Sequence, residues 1–269
     1  MNSKTQSSLM SIFILLMSLV WISTVSTAHA SVGANPNEYT TKVVMKRFDG
    51  LKEHLYEASK VSGFDMVDLV AISSIESTLR PNVKSQYSSA NGVMQYTRST
   101  WKQDRKLYAK QLGLPATVQV TNPRANLLIG ATALYNVKQL LIEKSHLTDK
   151  TVRIGDLYMS HLVGTGGALA VINSNSNKPV NQILRITKGN WSMYYKPNGQ
   201  VRTAREFRLY MDYLVKRERS FYEKEVRRFQ IAKIAAPIVS PFEDNLWGKQ
   251  LAQAIANTSK YVGYNDLNS

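Results

Sequence analysis

Apolar and polar positions divide the chain into unequal stretches. A long, mostly apolar run from Leu9 to Val25 follows Lys4 and gives way to Ala28-His29-Ala30. A charged start, an apolar stretch and small residues at a cleavage point make a secretory leader, so residues 1–30 are expected to be a signal peptide. The run approaches the about 18 residues of a membrane span, which leaves an uncleaved anchor as the alternative. Beyond the polar stretch Gly33 to Asn37, Val43, Val44, Phe48, Leu51, Leu55 and Ala58 recur at helical spacing. They predict an N-terminal helix within 31–60 that packs on the core.

Asp65 is placed to cap a second helix whose buried side is Met66, Val67, Val70, Ala71 and Ile75, and Pro81 stops that helix soon after Arg80. From Pro81 to Gln95 the chain turns to Asn, Ser, Gln and Gly, which predicts a loop or short hairpin. Helical character returns from Thr97 to Gln111 around Trp101. Pro123 then opens a helix carrying Ala125, Leu127, Leu128, Ala131, Leu134, Tyr135 and Leu141, read as the central core helix. A further helix starts at Asp156 and is interrupted at Gly164-Thr165-Gly166-Gly167 before Ala168 to Ile172, and Asn173 to Lys178 is a loop. Thr203 and Glu206 have capping-box spacing ahead of the stripe Phe207, Tyr210, Met211, Leu214, Val215, Phe221 and Tyr222. This predicts a long basic helix over 201–232, read as a solvated face over a core stripe that the cleft does not require. Residues 233–269 are expected to be a partly flexible tail with at most one short helix around Trp247 to Ala256. The fold class is mainly α, with a small loop or hairpin region between helices.

Composition narrows the choice of partner. The chain has 269 residues, 43% of them apolar, enough for a hydrophobic core, and no cysteine. That absence removes disulfides, a lipid-modified cysteine, thiol catalysis and thiolate metal sites. A net charge of +15 favours an anionic partner such as cell-wall polymer, anionic lipid or nucleic acid. Nucleic acid is set aside because an exported chain rarely meets it, and no zinc-finger spacing or RNA-binding aromatic motif is present. The four histidines show no paired metal spacing and no Gly-rich loop follows a strand, so neither metal nor cofactor is expected.

Glu76 follows an apolar helical stripe and precedes a polar loop, where core meets cleft. Partial burial there disfavours the ionised form and suits a general acid, although position alone fits a solvated or capping glutamate as well. The motifs around it are more specific. Ile75-Glu76-Ser77, then Ser88-Ser89-Ala90-Asn91-Gly92-Val93-Met94-Gln95-Tyr96 with Thr100-Trp101, then Asn122-Pro123-Arg124-Ala125-Asn126-Leu127-Leu128-Ile129-Gly130, then Tyr158 to Ala168 occur in order. This series resembles the soluble-type lytic transglycosylases of the lysozyme-like superfamily, nearest to a branch common in phage, mobile-element and secretion-associated enzymes.

The resemblance implies an α+β lysozyme-like fold over about 61–200 and a peptidoglycan glycan strand as substrate. Glu76 matches the family's catalytic glutamate, and Ser77, Ser89, Gly92, Met94, Gln95, Tyr96, Asn126, Tyr158 and His161 are the candidate substrate-binding residues. Where many members have a tyrosine and an asparagine this chain has His161 and Leu162, so either His161 takes over the tyrosine's role or Tyr158, three residues earlier, does. Met94 reads equally as core packing or cleft wall, and Tyr96 equally as packed aromatic or sugar platform.

Enzymes that hydrolyse glycans with paired carboxylates place the second at about 5 to 9.5 Å from the acid. No acidic residue lies between Glu76 and Asp104, so a partner would have to come from Asp149, Asp156 or another helix. A single glutamate suffices if it protonates the leaving oxygen and then deprotonates the muramic acid C6 hydroxyl, giving a 1,6-anhydro end without water. A hydrolytic muramidase on the same fold and a non-catalytic wall-binding component of a secretion or conjugation complex are the other readings. The leader alone places the protein outside the cytoplasm, in the periplasm or cell envelope.

Overall fold

The computed structural model describes residues 38–186 and 190–239. Their helices are α1 (Glu38–Ser62), α2 (Met66–Ser77), α3 (Arg98–Tyr108), α4 (Pro123–Lys144), α5 (Ile154–Ile172), α6 (Trp191–Tyr194) and α7 (Ala204–Val239), with one 3₁₀ turn at Val180–Gln182. Extended pairing among the described residues is confined to isolated bridges, two of them, Lys84 to Asn91 and Asn91 to Tyr96, in the expected hairpin region. The fold is mainly helical. No described helix is long and apolar enough to cross a membrane. The leader over 1–30 and the stretch beyond Val239, including the helix expected around Trp247 to Ala256, lie outside the described residues. The described residues from Arg47 onward form one compact unit; those before it, Glu38 to Lys46, are the opening turns of α1.

Four helix starts are set by residues visible in the sequence. The Asp65 carboxylate accepts from the Val67 and Asp68 N–H groups at 2.8 and 3.1 Å, satisfying donors that a helix start leaves open. Asn122 caps α4 through the Ala125 N–H at 2.9 Å, and Thr97 caps α3 through Thr100 at 3.3 Å. At α7 the capping box closes in both directions, with Thr203 N–H donating to Glu206 at 2.9 Å and Glu206 N–H to the Thr203 hydroxyl at 3.3 Å.

The central helix is α2, not α4 as its apolar content suggested. Met66, Val67, Leu69, Val70, Ala71, Ile72, Ser73, Ser74 and Ile75 are all buried, because α2 is apolar around its whole circumference and a helix of that kind belongs inside. Only the first half of α4 is continuously buried, from Ala125 to Ala131, and Tyr135 and Leu140 face solvent.

Helix α7 is longer than its stripe predicted, and the stripe is part of the core, as its spacing implied. It packs along α2 and α5 and buries Phe207, Met211, Val215, Tyr222 and Val226, each burial contributing about 1.5 to 3 kcal/mol. Arg219 pairs with Asp68, and Arg227 reaches Asp65 at 3.2 Å, so cations of α7 sit on the capped start of α2. At the start of α5 the fully buried Asp156 carboxylate takes both arms of Arg208 at 2.8 and 2.9 Å and accepts the Arg153 N–H at 3.0 Å. The two backbones nearly touch there, since a Cβ on Gly155 would lie 2.2 Å from the Asp212 nitrogen.

The interruption expected at Gly164 to Gly167 is narrower than its glycines implied. Only Gly164 leaves helical angles, at φ 76 and ψ 155, and α5 continues beyond it to Ile172.

Candidate active site

Glu76 stands in the last turn of α2, half-buried, and the chain leaves that turn abruptly. Thr78 and Leu79 both take left-handed angles, φ 54 and 57, costly for residues with a branched or bulky side chain and a mark of a position fixed by its surroundings. Leu79 is fully buried, and Arg47 donates to the Thr78 carbonyl at 3.3 Å. The sequence offers the Pro81 stop but no sign of this turn.

Two α5 side chains face the Glu76 carboxyl. The buried Tyr158 hydroxyl donates a hydrogen bond to it, and His161 lies close enough to act on it electrostatically. Burial pushes the Glu76 carboxyl above its ordinary range, against the opposing pull of His161 and of the Tyr158 hydroxyl. The Tyr158 phenol is held well above its own ordinary range by burial and by the neighbouring Glu76, so it stays a donor.

His161 has a different task. Its Nε2 lies 2.8 Å from the Met94 carbonyl oxygen, which only accepts, so Nε2 carries the hydrogen. The Met94 N–H donates to the Asn126 side-chain oxygen at 2.9 Å, and the Asn126 amide donates to the Val120 carbonyl at 2.9 Å. Met94 is thus clamped at both ends of its peptide by α4 and α5, which fixes the segment Gly92 to Tyr96. Gln95 continues it at φ 47, with its side-chain amide tied to the Val83 and Gly92 carbonyls at 2.9 Å each.

Several candidate residues therefore support the site from beneath. Met94 and Asn126 are fully buried, which decides Met94 for core packing. Tyr96 is also buried, its ring edge-on to Trp101 and His161 at 5.5 and 5.9 Å and its hydroxyl bonded to Asp104. Ser77 turns inward, donating to the Ser73 carbonyl at 3.1 Å and accepting the Arg80 N–H at 3.1 Å. Gly92 is buried against Asn126 at φ 83. Ser89 is exposed and accepts the Arg98 N–H at 3.1 Å. Gln95 and His161 are half-buried.

Met94 also explains Gly130. A Cβ there would fall 2.1 Å from the Met94 sulfur, within a region with no spare volume. Gly130→Ala is expected to lower stability by about 1 to 3 kcal/mol, read by denaturant unfolding.

The carboxylates that sequence named as possible partners are engaged elsewhere. Asp156 is enclosed by Arg208, and Asp149 is exposed and paired with Lys138 at 2.9 Å. Asp104, bonded to Tyr96, has its carboxyl pushed up by burial, with Tyr96 and His161 pulling it down. Helix spacing from Trp101 could have placed Asp104 on a neighbouring face, but nothing in the sequence paired it with Tyr96.

A second polar group sits behind α2. Ser74 donates to Glu218 at 2.9 Å and lies 3.0 Å from the Tyr222 hydroxyl, all three buried. Glu218 and Tyr210 of α7 also act electrostatically on Tyr158. Neither was among the sequence candidates, because their partners lie over 50 residues away along the chain.

A carboxyl that burial pushes above its ordinary range and a phenol steadies is equipped to protonate a leaving oxygen. The comparison with known families agrees with that arrangement: residues 54–171, which hold Glu76, the Gly92 to Tyr96 segment, Asn126, Tyr158 and His161, match the family model of the transglycosylase SLT domain.

Proposed function

We propose that the protein is an exported lytic transglycosylase of the cell envelope that cleaves the β-1,4 bond between N-acetylmuramic acid and N-acetylglucosamine. The match over 54–171 supports peptidoglycan as the substrate class. The observation that carries the mechanism is the Tyr158 hydrogen bond to a desolvated, half-buried Glu76. Glu76 protonates the glycosidic oxygen, and the resulting carboxylate removes the proton from the muramic acid C6 hydroxyl as that oxygen attacks the anomeric carbon. The bond to the leaving sugar breaks, a 1,6-anhydro ring forms, and the proton returns to Glu76. No water is consumed, and one carboxyl serves both steps.

Tyr158 acts as a positioning residue in this scheme, in the place the family gives to the tyrosine that His161 replaces. His161, Asn126 and Met94 hold the substrate-lining segment, while Ser89 and Gln95 remain for contact with sugar. The Ser88-Ser89-Ala90 and Thr100-Trp101 ends favour the phage and mobile-element branch.

Mass spectrometry of digested peptidoglycan tests the reading. Products ending in 1,6-anhydromuramic acid are expected; reducing ends alone would identify a hydrolytic muramidase, and undigested material a wall-binding component.

Tyr158→Phe separates the phenol's roles. Its hydroxyl favours the ionised form of Glu76, so its loss lets the acid keep its proton to higher pH. The basic limb of the kcat/KM profile is expected to move upward, and kcat to fall about tenfold or more through lost orientation.

A further inference from the structure

Residues 190–203 lie outside the matched domain and form a small rigid element on α7. Arg202 N–H donates to the Tyr194 carbonyl at 2.8 Å and Lys196 N–H to the Gln200 carbonyl at 2.8 Å, with Tyr195 bridged to Val201. Met193 and Tyr194 point inward, and the Tyr194 ring stacks on Phe207 at 5.2 Å. On the opposite side Trp191 and Tyr195 stack face to face, 3.7 Å apart and 8° from parallel, yet Trp191 stays 53% exposed. Tyr195 covers part of the indole and leaves the rest to solvent. An indole fixed by a stacked ring on one side and open to solvent on the other offers a flat apolar face on which a partner ring can lie.

The element is tied to α7, the helix that packs along α2 and α5. Arg202 donates to the Met193 carbonyl at 3.1 Å and lies over the Tyr210 ring at 3.8 Å.

We infer that Trp191, backed by Tyr195, is a sugar-binding platform that takes the apolar face of a pyranose ring of the glycan strand away from the bond being cleaved. A fixed aromatic face offers C–H groups of a sugar ring a negatively polarised surface. Its rigidity means little freedom is lost on binding. The inference rests on the proposed function for the identity of the polymer, but it concerns binding alone.

The test uses the full chain carrying Glu76→Gln, so that strands stay intact, pelleted with purified peptidoglycan sacculi. Adding Trp191→Ala is expected to weaken binding about tenfold, the order a single aromatic contact supplies, and Trp191→Phe to restore most of it. Equal binding with and without Trp191 would overturn the inference. So would a loss confined to anionic phospholipid vesicles, which would make the platform a membrane contact. Absence of anhydro products from the unaltered protein would defeat the catalytic reading and leave this measurement standing.

Discussion

Glu76→Gln is expected to lower the rate of glycan cleavage by at least about a thousandfold. A positioned general acid contributes about 10² to 10⁴, and here one carboxyl serves as acid and then as base, so no second group retains part of the function. Stability should move in the opposite direction. Burial raises the Glu76 pKa in the folded state, so the folded protein holds this proton more tightly than the unfolded chain does. Ionisation therefore destabilises the fold as pH rises above the ordinary carboxylate range. The amide cannot ionise, and the variant should melt at a higher temperature than the parent at neutral pH and at a similar one in acid. Thermal unfolding across pH, beside an activity assay, checks both.

Asp156→Ala is the substitution expected to harm the fold most. Its carboxylate is fully buried, takes two hydrogen bonds from Arg208 and caps the start of α5. Removing one member of a buried pair leaves the other charge unsatisfied and costs about 3 to 5 kcal/mol. Exposed pairs such as Lys233 with Glu53 are worth at most about 1 kcal/mol, so Glu53→Ala is the control. The expected fall in melting temperature for Asp156→Ala is roughly 10 °C. Activity should fall with it, because α5 carries Tyr158 and His161.

Local signals were legible where one residue determines the outcome. Asp65 and Thr203 each cap the helix that their spacing predicted, whereas the caps at Thr97 and Asn122 emerge only in the structure. The placement of Glu76 followed from an apolar run meeting a polar one. Pattern failed where a side chain's partner is distant along the chain. Tyr158 and His161 share one helix, and only packing decides that the first reaches Glu76 while the second reaches Met94. Ser77 looked like a cleft residue because it follows the acid, but a hydroxyl at a helix end readily bonds its own backbone. Charge hid part of α7: its many cations suggested a solvated face over the core stripe, whereas several of them meet acids on α2 and α5. The left-handed turn at Thr78 and Leu79 left no trace in residue type, since neither is a residue that favours it.

The account turns on whether cleavage proceeds without water. Digestion of peptidoglycan in water enriched in the heavy oxygen isotope, followed by mass spectrometry of the released ends, tests this directly. The internal attack of the C6 hydroxyl predicts anhydro-ended products that carry no heavy oxygen; labelled reducing ends formed at the rate of cleavage would contradict it.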